Sequence, residues 1–197
     1  MRNSLLIYFL IIFHFSCSER ETKLFEKLSP SKTGISFANN LSFKEDFNIF
    51  TYRNYYNGGG VGLGDINNDG LLDVYFTSNL NENKLYLNKG NFQFEDITTK
   101  AGVAGEKSWS TGVSLADINA DGFLDIYVSN SGDIKGDNKQ NELFINNGDL
   151  TFTEMAKEYG LDDKGYSTHA CLYTHLRAHE TLRYLVCRLL LEKKKGG

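Results

Sequence analysis

From residue 56 to 165 the chain alternates short runs of Val, Ile, Leu, Tyr and Phe with clusters of Gly, Asn and Asp. Runs this short, apolar or alternating, fit strands better than helices, which need longer amphipathic stretches. The pattern predicts strands at Val61–Leu63, Leu72–Ser78, Lys84–Leu87 and Gln93–Asp96. After the third, Asn88-Lys89-Gly90-Asn91 has the composition of a hairpin turn, because Gly and Asn tolerate positive φ; Asn146-Asn147-Gly148-Asp149 is built alike.

The pattern is written twice. Gly60-Val-Gly-Leu-Gly-Asp-Ile-Asn-Asn-Asp-Gly-Leu-Leu-Asp-Val-Tyr-Phe76 matches Gly112-Val-Ser-Leu-Ala-Asp-Ile-Asn-Ala-Asp-Gly-Phe-Leu-Asp-Ile-Tyr-Val128, an offset of 52 residues. Asn83-Lys-Leu-Tyr-Leu-Asn-Lys-Gly-Asn-Phe-Gln-Phe94 then matches Asn141-Glu-Leu-Phe-Ile-Asn-Asn-Gly-Asp-Leu-Thr-Phe152, an offset of 58. The six extra residues fall in the polar stretch Ser131–Gln140, which reads as a lengthened surface loop. A four-stranded unit repeated at this interval predicts an all-β fold of β-propeller blades, since solenoid repeats are usually shorter.

Candidate chemistry sits in the turn between the first two strands of each unit. Asp65, Asn67, Asp69, Leu71 and Asp73 recur as Asp117, Asn119, Asp121, Phe123 and Asp125. Calcium takes six to eight oxygens, and alternate residues of a tight loop can aim theirs inward. The first, third and fifth positions supply side-chain oxygens, the seventh (Leu71 or Phe123) a backbone carbonyl, and the ninth a closing carboxylate. Gly70 and Gly122 allow the bend. One such turn alone would also fit an Asx-rich loop capping its own amides. Two copies, identical at every side-chain ligand while Asn68/Ala120 and Leu71/Phe123 differ, point to an ion.

The opening resembles an EF-hand, but that loop needs a carboxylate at its twelfth position, where Phe76 and Val128 stand. A dockerin fails at the same place, and thrombospondin-type calcium repeats need nearby cysteines. The spacing D-x-N-x-D-G-x-x-D between two strands resembles the FG-GAP and VCBS repeats of integrin-α-like β-propellers. Thr33-Gly-Ile-Ser-Phe-Ala-Asn39, Tyr56-Asn57-Gly-Gly-Gly-Val61, Asn83-Lys-Leu-Tyr-Leu-Asn88 and Phe94-Glu-Asp-Ile-Thr-Thr-Lys-Ala-Gly-Val103 are similar to the bacterial ASPIC/UnbV, cartilage acidic protein-like family. That resemblance, over Ser29 to Ala170, implies an extracellular propeller, usually seven-bladed, that serves as an interaction platform. The chain holds material for two to three blades and no ASPIC/UnbV domain, so it reads as an N-terminal fragment.

The N-terminus reads as an export signal. Arg2 precedes the uncharged, mainly apolar run Leu5–Phe15, too short to span a bilayer as a mature helix. Ser16-Cys17-Ser18 follows and resembles a bacterial lipoprotein signal, with His14 where an aliphatic residue is usual. Lipidation of Cys17 is the first reading; ordinary cleavage and an uncleaved anchor are the others. The expected location is the outer membrane or cell surface as a lipoprotein, otherwise secretion.

A net charge of −4 with clustered acids argues against a nucleic-acid partner, and Cys17, Cys171 and Cys187 show neither metal spacing nor a disulfide framework. Gly58–Gly64 lacks the lysine-serine pair of a phosphate loop and reads as close backbone packing. Trp109, Tyr55 and Tyr56 read as core or blade-interface aromatics, with sugar stacking the alternative. No catalytic constellation is visible. The expected function is a calcium-binding surface interaction or adhesion module, not an enzyme, for a protein or glycan ligand; the alternative is part of a propeller enzyme acting on polysaccharide or lipid.

The segments are then 1–17 as signal, 18–32 as linker, 33–170 as repeat region and 171–197 as an anomalous tail. The units of the repeat region run roughly over 56–107 and 108–165. Tyr166-Ser167-Thr168 matches Trp109-Ser110-Thr111, which would start a third aspartate turn at residue 174. Thr174, Leu176, Ala178 and Leu182 stand there instead, and the tail has no aspartate. A frameshift is the first explanation. An amphipathic helix over Leu182, Leu185, Val186, Leu189 and Leu190 is the second.

Overall fold

The computed structural model describes residues 24–106, 109–132, 135 and 139–172. The signal run with Cys17 and the tail beyond Leu172 lie outside the described residues. Within them, β1 (Val61–Gly64), β2 (Asp73–Phe76), β3 (Lys84–Asn88) and β4 (Phe94–Asp96) form one antiparallel sheet in sequence order. A second sheet of the same order contains β5 (Ser110–Ala116), β6 (Asp125–Asn130), β7 (Glu142–Asn146) and β8 (Phe152–Glu154). The only helices among the described residues are single turns, α1 (Pro30–Thr33), α2 (Thr98–Ala101) and α3 (Ala156–Tyr159). The fold is all-β, with two complete propeller-type blades.

The second predicted strand, Leu72–Ser78, shortens to Asp73–Phe76 because its ends bond elsewhere. Leu72 gives its carbonyl to the Asn88 amide, and the Ser78 N–H goes to Asn83 Oδ1. The predicted turn after β3 forms, with Gly90 at φ 83° and Asn91 at φ 53°, but Phe92 also takes φ 57°. In the second blade Leu150 does the same at φ 67°. Side chains that large rarely enter this region, and the hydrophobic pattern gave no sign of it.

Alternation along the strands sends two sets of side chains to opposite faces. Tyr75, Leu85, Leu87 and Ile97 of the first blade meet Ile126, Val128, Phe144 and Phe152 of the second in one buried cluster. The corresponding trailing face of the second blade, Tyr127, Leu143 and Ile145, is lined by Met155, Leu161 and Ala170. On the leading side of the first blade, Phe37 stacks on Phe76 at 4.7 Å between ring centroids. Asn39 binds the Asn79 side chain and main chain there.

The blades meet most closely at their inner strands. A Cβ on Gly64 would lie 2.8 Å from both Leu115 and Leu124 side chains. The glycine run therefore does the close packing expected of it, with β1 itself formed from it. Residues 167–170 occupy the matching place beyond β5. Thr111 and Ser114 donate hydroxyl bonds to the Ser167 and Ala170 carbonyls, and Ser167 N donates to Asn130 O. The chain thus keeps the register of a further inner strand as far as Ala170.

The segment 41–56 caps one end of the blade pair. Tyr52, Tyr55 and Trp109 form a buried aromatic cluster with Phe47. Trp109 is 0% exposed and Tyr55 2%, which assigns both to packing; Tyr56, at 69%, stands in solvent.

Candidate metal centres

Each aspartate loop leaves the inner strand of its blade and returns as the second strand, so the loop ends are fixed by β-pairing. Gly64 pairs with Asp73 and Ala116 with Asp125. Inside the loop the side chains, not the main chain, satisfy the amides. Asp65 Oδ1 accepts from Asp69 N at 3.1 Å and Oδ2 from Gly70 N at 2.7 Å. Asn67 Oδ1 also accepts from Asp69 N, and Asp69 Oδ1 accepts from Leu71 N at 2.8 Å. The closing Asp73 takes Ile66 N on Oδ2 at 3.0 Å and Asn88 N on Oδ1 at 2.7 Å.

The second loop repeats this network bond for bond. Asp117 accepts from Asp121 N and Gly122 N, Asn119 Oδ1 from Asp121 N, and Asp121 Oδ1 from Phe123 N. Asp125 accepts from Ile118 N and Asn146 N. Gly70 at φ 85° and Gly122 at φ 92° make the bend that was assigned to them. The residue two before each, Asn68 or Ala120, is also left-handed, at φ 59° and 62°. Ala120 gave no hint of that conformation in the sequence.

Each loop carries three carboxylates, and among the described residues no ion pair involves a loop aspartate. Burial pushes the Asp73 carboxyl above its ordinary value, hydrogen bonds from Asn88 and Ile66 pull it back, and the charges of Asp69 and Asp65 add to the rise. Asp125 is raised in the same way, by burial first and by Asp121 and Asp117 last. A positive charge at either loop would relieve this repulsion.

The donors are hard oxygens, which suit calcium or a similar ion. Among the described residues the Leu71 and Phe123 carbonyls accept no main-chain hydrogen bond, so both remain available. Each aspartate oxygen keeps lone-pair capacity beside its amide bond. No three acidic, His or Cys side chains among the described residues already converge as a metal shell. The predicted set includes an amide oxygen and a carbonyl, and the Asn67 and Asn119 amides now donate to Asp69 and Asp121 Oδ2. The residues fit the ion in chemistry; a closed shell needs these side chains to turn.

Two participants escaped the sequence reading, Asn88 and Asn146. Their main-chain N–H groups hold the closing aspartates, and their amides bind the Leu72 and Leu124 carbonyls. Their identity in both repeat copies was the available signal. A cleft between the blades is lined by Glu106, Glu142 and Glu154. Glu142 holds Glu106 N and the Asn130 amide, while Glu154 caps Leu143 N and Ala156 N.

Residues 65–128 match the family described as FG-GAP-like repeat. The chain is 30% identical over 139 residues to cartilage acidic protein 1 of Xenopus tropicalis, covering 69% of this chain and 20% of that protein. It is 37% identical over 76 residues to cartilage acidic protein 1 of Mus musculus, and 36% identical over 76 residues to that of Homo sapiens. The latter two matches span 39% of this chain and 12% of each relative. The chain therefore corresponds to a minor part of these relatives' length.

Proposed function

For a chain built of FG-GAP-like repeats and similar to cartilage acidic protein 1, we propose a calcium-stabilised interaction module on the cell exterior. Calcium would be held by Asp65, Asn67, Asp69, the Leu71 carbonyl and Asp73, and by Asp117, Asn119, Asp121, the Phe123 carbonyl and Asp125. When bound it supplies positive charge that ties the two inner strands of each blade together. The observation that carries this reading is the bond-for-bond identity of the two loops, each with three aspartates that form no ion pair among the described residues.

The module binds a protein or glycan rather than transforming a substrate, and has no nucleic-acid partner. It is exported and attached to a membrane through lipidated Cys17, with the blades presented to solvent. Support comes from the apolar run before Cys17 and from the similarity to cartilage acidic protein 1.

Calorimetric titration of the full chain with calcium tests the site. The expected affinity is of order 10⁻⁴ to 10⁻³ M, the range of extracellular modules. No heat of binding, with a melting temperature indifferent to chelator, would refute the proposal.

A further inference from the structure

We propose that Asn146 is a positioning residue that couples the two loops, so that calcium at either one raises the affinity of the other. This rests on the calcium reading of the loops, and its test separates the two.

The observation is a buried relay between the closing carboxylates. Asp73 Oδ2 accepts from Ile66 N at 3.0 Å, and the carbonyl of the same Ile66 accepts from Asn146 Nδ2 at 2.8 Å. The main-chain N–H of Asn146 donates to Asp125 Oδ1 at 2.9 Å. Asp73, Ile66, Asn146 and Asp125 are each at most 3% exposed. One residue and one side chain therefore separate the ninth position of the first loop from the ninth position of the second.

The orientation of the Asn146 amide is determined by its partners. Its Oδ1 accepts from Gly148 N at 2.9 Å, which leaves Nδ2 facing the Ile66 carbonyl and, at 3.2 Å, the Leu124 carbonyl of its own loop. Asn88 is the counterpart in the first blade. It makes the same turn bond to Gly90 N and the same grip on Asp73 and Leu72. Among the described residues no second loop lies against its amide. The bridging role thus comes from where the second blade sits, not from the residue type.

An ion on Asp73 would fix the carboxylate between its two N–H donors and so hold the Ile66 main chain from its N–H side. The Ile66 carbonyl, one residue's φ and ψ away in the next peptide group, is then a more ordered acceptor for Asn146, whose N–H already holds Asp125. A second ion meets a loop whose closing ligand is partly ordered, and pays less of the entropic cost. The effect must be equal in both directions. A further bridge, Asn68 Nδ2 to Gly122 O at 3.0 Å, is exposed, so water competes for it.

The test uses amide NMR of the full chain during calcium titration. Gly70 and Gly122 are the reporters, because each donates to the first aspartate of its own loop. Asp69→Ala disables the first loop and Asp121→Ala the second, and neither residue belongs to the relay. Asp69→Ala is expected to weaken binding at the second loop about five-fold, and Asp121→Ala to weaken the first by the same factor. With Asn146→Ala added, disabling one loop no longer changes the other, whereas Asn68→Ala leaves the factor intact. Where Asn146→Ala does not fold, Asn146→Leu keeps the volume and removes the Nδ2 donor without adding a charge, for the same comparison. A factor of one between the loops overturns the coupling while leaving the calcium sites standing. A factor that survives the Asn146 substitutions overturns the role of Asn146. Failure of both reporters to titrate in the unsubstituted chain overturns the calcium reading itself.

Discussion

Gly60 and Gly112 face each other across the blade junction so closely that a Cβ on Gly60 would lie 3.0 Å from the Gly112 Cα. These are the same position in the two repeats, and the contact is main chain to main chain. Gly60→Ala should therefore destabilise by about 1–3 kcal/mol through overpacking. Gly70 has nothing within 4 Å of a built Cβ but sits at φ 85°. Gly70→Ala should cost about 1 kcal/mol from backbone strain alone. Urea denaturation measures both variants, and a Gly60→Ala loss well below about 1 kcal/mol would argue against the close approach.

Calcium added at about 100 times its dissociation constant should stabilise the fold by about 2.7 kcal/mol per occupied loop. Chelator should lower the melting temperature of the unsubstituted chain and leave an Asp69→Ala, Asp121→Ala double variant unmoved. Scanning calorimetry with and without chelator checks this; an equal drop in the double variant would place the ion elsewhere.

The acid limb should depend on calcium. Asp73 and Asp125 are both raised above 3.8, so the folded chain binds their protons more tightly than the unfolded chain does. Their contribution to stability is complete below 3.8 and is lost as pH rises through the elevated folded values. Calcium needs the carboxylates, and protons compete with it in that same window. Melting temperatures measured from about pH 4 to 7 should show the gap between calcium and chelator widening with pH. A constant gap would mean that these two groups are not ligands.

Trp109 is the single tryptophan of the chain and has no exposed surface, which makes it a reporter. Its emission should be blue-shifted and resistant to iodide quenching, then shift red on unfolding. Trp109→Ala should destabilise by about 3–5 kcal/mol. Ready quenching in the folded chain would contradict its place beneath the 41–56 segment.

The blades and loops were legible because each is specified locally and written twice. Strand alternation, turn composition and the nine-residue ligand spacing all lie within a few positions of one another. Phe92 and Leu150 were not legible, because their left-handed backbone follows from closing a hairpin after Gly90 and Gly148, not from their own chemistry. Asn146 was visible as a repeated residue, but its bond to Ile66 O spans 80 residues. Trp109 was legible as a core or blade-interface aromatic, but its partners were not: Phe47 and Tyr52 reach it only because the 41–56 segment folds back over it.

The Asn146–Ile66 bond changes what counts as one site. Each loop carries its own oxygen donors, yet the peptide behind the first is anchored by a side chain from the following repeat. Communication then belongs to junctions, not to blades. In an open row it has one link fewer than there are loops, and the loop at the trailing end answers to one neighbour only. A ring closed by the same contacts would have no such end, and a change at any one loop would be felt in two directions.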